Sequence, residues 1–549
     1  MKHIYLILMA AALCMPLAAQ NINQSVQVTN DYVTRFADFQ KQGPALQVPD
    51  SLLRIDYNFD YSVFETPYRG SYEFSPYRIE VKPEARLYDG SRLYLRAGAG
   101  YTFHPQFELA WQMLQEENFA IGVFGEAGGY AGKYRQRGVE GTVAGHDLSG
   151  RIGLGGQYLL PSTRLSYHFG YEGIFAGENG SDPAFRSGFN SAIISGRIQS
   201  RERPGNQIFY DVDLRYRYSG DNCLPAGDGS RTGEHNIRVA ASVGPVLNDS
   251  KYSILVDAVF EMDALKPSTS YNGRTIVSQE MLQGNIATGL AALKPHVDFL
   301  LGPVLLDAGV RFDYSFCNDD GKFTIVPDVT ARFAVLDADL ELYAGVSGGQ
   351  SVQSHYAVKQ INHFTRLSDA SATVSREKLH LRGGLQGHWG TRLQYEAEAG
   401  YASYAGMPLA TIRNVLPADF TSIYGKAGLS WKDDRLEMDG GLVYSYMSFS
   451  SGAGAYAPPA FTADLRGRYN WDRRIWAGAF LEAASGRKCL GTEESIPGFV
   501  NFALTGEYRI SGQWSAWIEA GNLLGMAIER APGYIEKGPY ATVGLSFRL

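Results

Sequence analysis

The sequence predicts an all-β protein: a transmembrane antiparallel up-and-down β-barrel of about 22 strands, preceded by a short non-barrel segment. Three observations lead there. Residues 208–218 place Asp211, Asp213, Arg215 and Arg217 on one side of a strand and Tyr210, Val212, Leu214, Tyr216 and Tyr218 on the other, so its two faces meet two different solvents. A secretory signal opens the chain. Short and long connections then alternate from about residue 91 to the end.

At the start, Met1-Lys2-His3 precedes an apolar run from Ile4 to Leu13 and a small-residue stretch, Pro16-Leu17-Ala18-Ala19-Gln20. A membrane-spanning helix needs about 20 apolar residues, and this run is near half that. It reads as a signal peptide, residues 1–19, cleaved near Ala19. Bulky Leu13 before Cys14 argues against lipidation. Residues 20–90 form an N-terminal segment that is either periplasmic or lumen-filling, and residues 91–549 form the barrel. The expected location is the outer membrane of a Gram-negative cell.

Short polar connections are predicted at 115–118, 160–163, 201–207, 247–251, 294–298, 337–339, 390–391, 432–434, 471–474 and 511–513. Longer ones fall at 131–145, 177–188, 220–233, 263–279, 350–376, 405–419, 450–459, 487–498 and 525–539, with brief connections at 104–105 and 317–322. In bacterial barrels the short turns face the periplasm and the long loops face outside, so about eleven outer and ten inner connections imply about 22 strands. An even number returns both ends to the periplasm. A soluble sandwich or a propeller would also alternate polar and apolar residues. Strands near the roughly 9–11 residues that span a bilayer, and the absence of a blade repeat of about 40 residues, favour the membrane barrel.

Individual strands carry the same two-sided writing. Arg392, Gln394, Glu396 and Glu398 alternate with Leu393, Tyr395, Ala397 and Ala399, and the neighbouring strand brings Lys378, His380, Arg382, Gln386 and His388 to the polar face. In the last strand Ala541, Val543, Leu545, Phe547 and Leu549 face lipid, and Thr542, Ser546 and Arg548 face inward. That strand resembles the signal read by the barrel-assembly machinery, with Leu549 where Phe is commoner.

Composition agrees. The 62 Gly, 34 Tyr and 28 Phe suit turns and interfacial girdles. A mean hydropathy of −0.19 is too low for a helical membrane protein. No convincing amphipathic helix follows the signal. A net charge of −7 offers no basic face, so nucleic-acid binding has no support. Cys223, Cys317 and Cys489 are odd in number and fall in predicted loops; one loop-to-loop bridge stays open, with no pair chosen.

The search for chemistry predicts no catalytic, cofactor or metal residue. His146-Asp147 with Ser149 has the residue types of a nucleophilic triad, but His146 and Ser149 lie an odd number apart and point to opposite faces. His235, His296, His355, His363, His380 and His388 are scattered. Glu396 and Glu398 beside Glu437 and Asp439 are what a polar interior requires. Gly153 to Gly156 is followed by no helix, so it is no phosphate loop. The candidate lumen-facing residues are Asp211, Asp213, Arg215, Arg217, His380, Arg382, Glu396, Glu398, Asp464, Arg466 and Arg468. They mix both signs, which favours a networked or mildly selective interior over a steering pore. Outer segments such as Tyr271-Asn272-Gly273 and Tyr456-Ala457-Pro458-Pro459 either capture a ligand or are ordinary exposed loops.

Several short motifs carry a family resemblance: Val26 to Tyr32, Val48-Pro49-Asp50, Phe59-Asp60-Tyr61, Leu93 to Tyr101 with His104-Pro105 and Glu108, Gly145 to Ser149, Asn362-His363-Phe364, Met407-Pro408-Leu409, Gly521 to Leu524 and Gly533-Tyr534. Together they resemble a Bacteroidetes outer-membrane β-barrel family usually labelled TonB-dependent-receptor-like, whose members lack the plug. The resemblance implies a 22-stranded barrel akin to TonB-coupled transporters, serving solute transport or passage across the outer membrane. About 70 residues before the barrel are roughly half of what a plug domain requires. Val26-Gln27-Val28-Thr29 is only a faint echo of a TonB-docking box, so TonB is a doubtful partner. Outer-membrane lipid, the assembly machinery and a periplasmic or outer-membrane protein are the partners expected. A structural or partner-binding barrel without transport is the alternative reading, and a barrel enzyme a more distant one.

Overall fold

The structure, a computed structural model, describes residues 92–549 apart from 102, 137–139, 179–184, 202–207, 223, 226–230, 248–251, 269, 272–273, 276–286, 318–319, 336–339, 366–372, 413 and 537. The signal peptide, its cleavage near Ala19, the 20–90 segment and Cys223 lie outside the described residues.

One antiparallel sheet closes on itself. Its first half comprises β1 (Leu93–Tyr101), β2 (Gln106–Gln115), β3 (Phe119–Gln136), β4 (Val143–Leu159), β5 (Thr163–Glu178), β6 (Phe185–Ser200), β7 (Ile208–Asp221), β8 (Arg231–Leu247), β9 (Tyr252–Ser268), β10 (Ala287–Leu301) and β11 (Val304–Cys317). Its second half comprises β12 (Asp320–Val335), β13 (Leu340–Gln353), β14 (Thr373–Trp389), β15 (Leu393–Ala410), β16 (Val415–Lys432), β17 (Leu436–Phe449), β18 (Phe461–Trp471), β19 (Ile475–Ala484), β20 (Phe499–Arg509), β21 (Trp514–Gly521) and β22 (Tyr540–Arg548). Two two-residue pieces, Leu224–Pro225 and Tyr534–Ile535, pair onto this wall, which otherwise has 22 strands. Each strand pairs with the next, and β22 pairs with β1 from Tyr94↔Arg548 to Tyr101↔Ala541. Closure leaves no edge, the condition for a sheet in lipid.

Alternation sorts the side chains. On β7, Leu214, Tyr216 and Tyr218 are exposed on the outer face, while Asp211 is buried and Arg215 and Arg217 are half-buried. Exposed Trp389, Trp471 and Trp514 adjoin short turns at one rim, and Tyr101, Phe323, Tyr444 and Tyr446 lie toward the other, which makes the two aromatic belts of a membrane barrel.

The outer connections are shorter than the sequence suggests. Strands of 14–18 residues, such as β3, β15 and β16, exceed the bilayer and project outward. Much of 131–145 and 405–419 is therefore strand. Cys317 ends β11 rather than lying in a loop.

The turn expected at 294–298 is strand instead, inside β10. Lys294 and His296 are buried, and Pro295 between them is exposed. Pro295 aligns with Val256 of β9, while the pairing with β11 skips from Leu293↔Phe312 to His296↔Gly309. The missing N–H of proline thus falls at a gap in the ladder. The true turn is Gly302-Pro303, where Gly302 takes φ +61°, a left-handed conformation that glycine adopts freely.

A helix was not expected after the signal, yet one short helix, α1 (His355–Ile361), follows β13.

Leu214 is at the middle of β7 and more than half exposed on the outer face. Leu214→Arg should destabilise the barrel by about 2–4 kcal/mol, the cost of a cation at the bilayer midplane, measured by reversible urea unfolding in liposomes.

Candidate functional site

The inner wall carries three groups of charge. In the first, Asp211 accepts hydrogen bonds from Arg197 Nε at 2.7 Å and from a second guanidinium nitrogen. Register then places Arg215 opposite Arg238 and Arg238 opposite Glu261. Glu261 lies 3.7 Å from Arg215 and 3.8 Å from Arg238, so one carboxylate serves both cations. Asp213 borders the same region. The second group joins His380 and Glu398 through Tyr424: the hydroxyl is 2.7 Å from His380 Nε2 and donates to Glu398 at 2.8 Å, with Tyr343 and Lys426 also reaching that carboxylate. Glu396 faces Gln386 across the ladder, and Arg382 aligns with Gly345 and Gly400. In the third, Arg468 lies 3.5 Å from Glu507 and Arg466 lies over Phe480, while Asp464 is opposite Glu482. The expected residues therefore divide among three stretches of wall.

Lys378, assigned above to the polar face, is exposed: a bulge between Glu377 and Leu379 shifts the alternation and turns Glu377 toward His380 Nδ1 at 3.3 Å.

The first group extends into charges not singled out in the sequence. The wall curls so tightly that the backbones of β9 and β13, four places apart, approach within 8 Å. Asp313, fully buried, accepts from Arg311 Nε at 2.8 Å and from the Gln350 backbone N–H at 2.7 Å. Beside them a cavity of about 630 Å³ is bordered by Asp211, Arg238, Asp257, Lys294, His296 and Asp307, among others. Gly309 sits opposite His296, where a Cβ would come within 2.6 Å of the histidine Cβ. Its lack of a side chain makes room for the imidazole. The readable signal was period two: Lys294, His296 and Asp298 on one face, Pro295, Val297 and Phe299 on the other. A proline among polar residues hid it as a turn.

The second feature is the connection from β13 to β14. Ser354 caps α1, its side chain accepting from the Ala357 N–H at 3.2 Å. From there residues 354–365 run along the inside of β8 to β4, which the curl of the wall brings close to the end of β13. Backbone N–H groups of His355 and Tyr356 donate to Glu234 on β8. His355 Nε2 and Lys359 Nζ lie 2.8 and 3.0 Å from Asp221 at the end of β7, and Lys359 also donates to Ser187 on β6. Tyr356 and Gln360 donate to Glu172 on β5, and Arg217 covers the Tyr356 ring at 3.6 Å. His363 reaches Asp147 on β4 at 2.8 Å, which gives that aspartate a tethering partner. β13 and β4 stand nine places apart in a ring of 22, so the segment spans the interior as a chord.

Other outer connections close around this span. Phe364 stacks on Tyr534 at 3.7 Å, in a cluster with Ala176, Ile412 and Ala531. Tyr534 and Ile535 add onto β3. Tyr456 is not an exposed capture residue: it is buried, bridges Cys489 and donates to Glu494 at 3.1 Å.

Lys359 and Asp221 are fully buried partners, and leaving one buried charge alone costs about 3–5 kcal/mol. Asp221→Ala should therefore release the span and raise tryptic cleavage after Lys359 by more than about tenfold, read by mass spectrometry of the folded protein.

No protein-family model and no curated protein matches the chain. Among solved structures it is similar to the copper transporter OprC, with 13% identity, a TM-score of 0.60 and coverage of 84% of this chain and 80% of that one. It is also similar to the FrpB iron transporter from Neisseria meningitidis (F3-3 variant), at 9% identity and TM-score 0.63 over 83% and 81% of the two chains. The ferric-catecholate import receptor Fiu from K12 E. coli, in its closed form, gives 9% identity and TM-score 0.59 over 84% and 82%. At these identities the likeness is one of fold, and the chain shares the barrel of these transport and import proteins.

Proposed function

We propose that the protein is an outer-membrane barrel that passes solute through its lumen when the inward span 354–365 is displaced. One observation carries this reading: the barrel interior is occupied by the protein's own connection, held by polar contacts together with two small apolar clusters, around Val358 and Phe364, rather than by one continuous core. Polar contacts exchange with water when they open, so a span held this way can be released and re-formed. An inner wall of paired charges suits a hydrated, mildly selective path. The shared fold with transport and import proteins supports the same reading. Outer-membrane lipid meets the apolar face, and the assembly machinery engages β22 with its outward Val543 and Leu545.

Planar-bilayer recordings test this. Wild-type protein should show low conductance, and Asp221→Ala should show a several-fold larger and more persistent one. Silence from both proteins, each folded by heat-modifiable gel migration, would overturn passage and favour a partner-binding barrel.

A further inference from the structure

We propose that His296, Asp298 and Asp307 form a binding site for a divalent first-row transition-metal ion on the inner wall, with Asp257 fixing the imidazole from behind. The site is independent of whether solute passes through the barrel. It lies in the periplasmic half of the strands, since Asp298 and Asp307 flank the short turn at Gly302-Pro303.

The geometry is that of a partly assembled coordination shell. His296 Nδ1 lies 3.1 Å from Asp307 Oδ1 and 3.5 Å from Asp298 Oδ1, and the three candidate ligand atoms are all within 4.8 Å of one another. Four ligands at about 2.0–2.2 Å around a tetrahedral ion stand about 3.3–3.6 Å apart, so the two measured edges are close to coordination size. A fourth corner is left for water, which suits an ion that exchanges with solvent.

The far side of the ring gives a second, independent indication. His296 is more than nine-tenths buried, and its Nε2 is buried outside any aligned hydrogen bond, 3.3 Å from Asp257 Oδ2. A carboxylate behind the distal nitrogen is the usual outer partner of a metal-bound histidine. Bound in place of the Nδ1 proton, a dication would meet Nδ1 and two carboxylate oxygens on one side of the ring, with Asp257 holding the Nε2 proton on the other.

Local charge points the same way. Asp257, Asp298, Asp307 and Asp328 gather around His296 and Lys294, and Lys294 Nζ takes the other oxygen of Asp307 at 3.3 Å and Asp328 Oδ1 at 3.4 Å. Three of the bordering arginines have other acids beside them: Arg197 has Asp211, Arg238 has Glu261 and Arg311 has Asp313. Four carboxylates around His296 and Lys294, with Arg332 also on the cavity wall, supply the oxygen donors that a dication takes beside an imidazole. The same residues border the 630 Å³ cavity, which provides an entry path.

Zinc titrated calorimetrically into the full chain in detergent, with cobalt(II) absorption as the geometric probe, tests the site. One zinc per chain is expected, with a proton released on binding and cobalt bands of tetrahedral intensity. His296→Gln and Asp307→Asn should each weaken binding by more than about 100-fold, and Asp257→Asn by about 10- to 100-fold. Asp433→Asn, in a distant turn, should change nothing. Lack of zinc binding below about 1 mM, or binding that His296→Gln leaves intact, would overturn the proposal and assign the cluster to a protonated histidine held among carboxylates. Should His296→Gln fail to fold, the cobalt spectrum of wild-type protein decides alone: without tetrahedral bands the site is rejected.

Discussion

Everything in this molecule follows from one ladder, the eight residue pairs between β22 and β1. Backbone N–H and C=O groups in hydrocarbon find no water, and each one unpaired costs several kcal/mol. A sheet in lipid must therefore close, and antiparallel closure demands an even number of strands. Once the ring is shut, every residue of a strand belongs either to lipid or to the interior. Tyr216 and Arg217 are neighbours in sequence and occupy different solvents.

The wall was legible because that constraint writes with period two. Ile208 to Tyr218 alternates without interruption, and of the seven expected short turns that lie among the described residues six fall between strands, while 201–207, 247–251 and 337–339 lie largely outside them. The seventh failed at Lys294 to Asp298 because proline among charged residues normally breaks a strand. Here its missing donor coincides with a gap in the ladder, and alternation continues through it. The loops were overestimated because strand residues beyond the bilayer no longer need an apolar face, as at 131–136 and 405–410. The helix was invisible because seven residues hold too little periodicity to register, although Ser354 is a sound cap.

The interior was legible only in part. Sequence places Asp211 and Arg215 on one face, but which partner each finds depends on register between strands, as in Arg238 opposite Glu261. His355, His363, Asp147 and Asp221 were even harder to assign. Their contacts join residues more than a hundred positions apart, through a chord that no local pattern announces. Glu172, Asp221 and Glu234 near the outer ends of their strands resemble ordinary solvated acids until the span meets them.

The chord also bears on the mechanics of the ring. Strand number and stagger fix the circumference of a barrel but leave its outline free to flex between round and oval. A strut fastened to β13 at one end and to β4 through β8 at the other sets the separation of the walls it joins. The outline at that height is then held by side chains, and the tight curl between β9 and β13 lies beside one of its anchorages. Releasing the strut would change the shape of the wall as well as the width of the path through it.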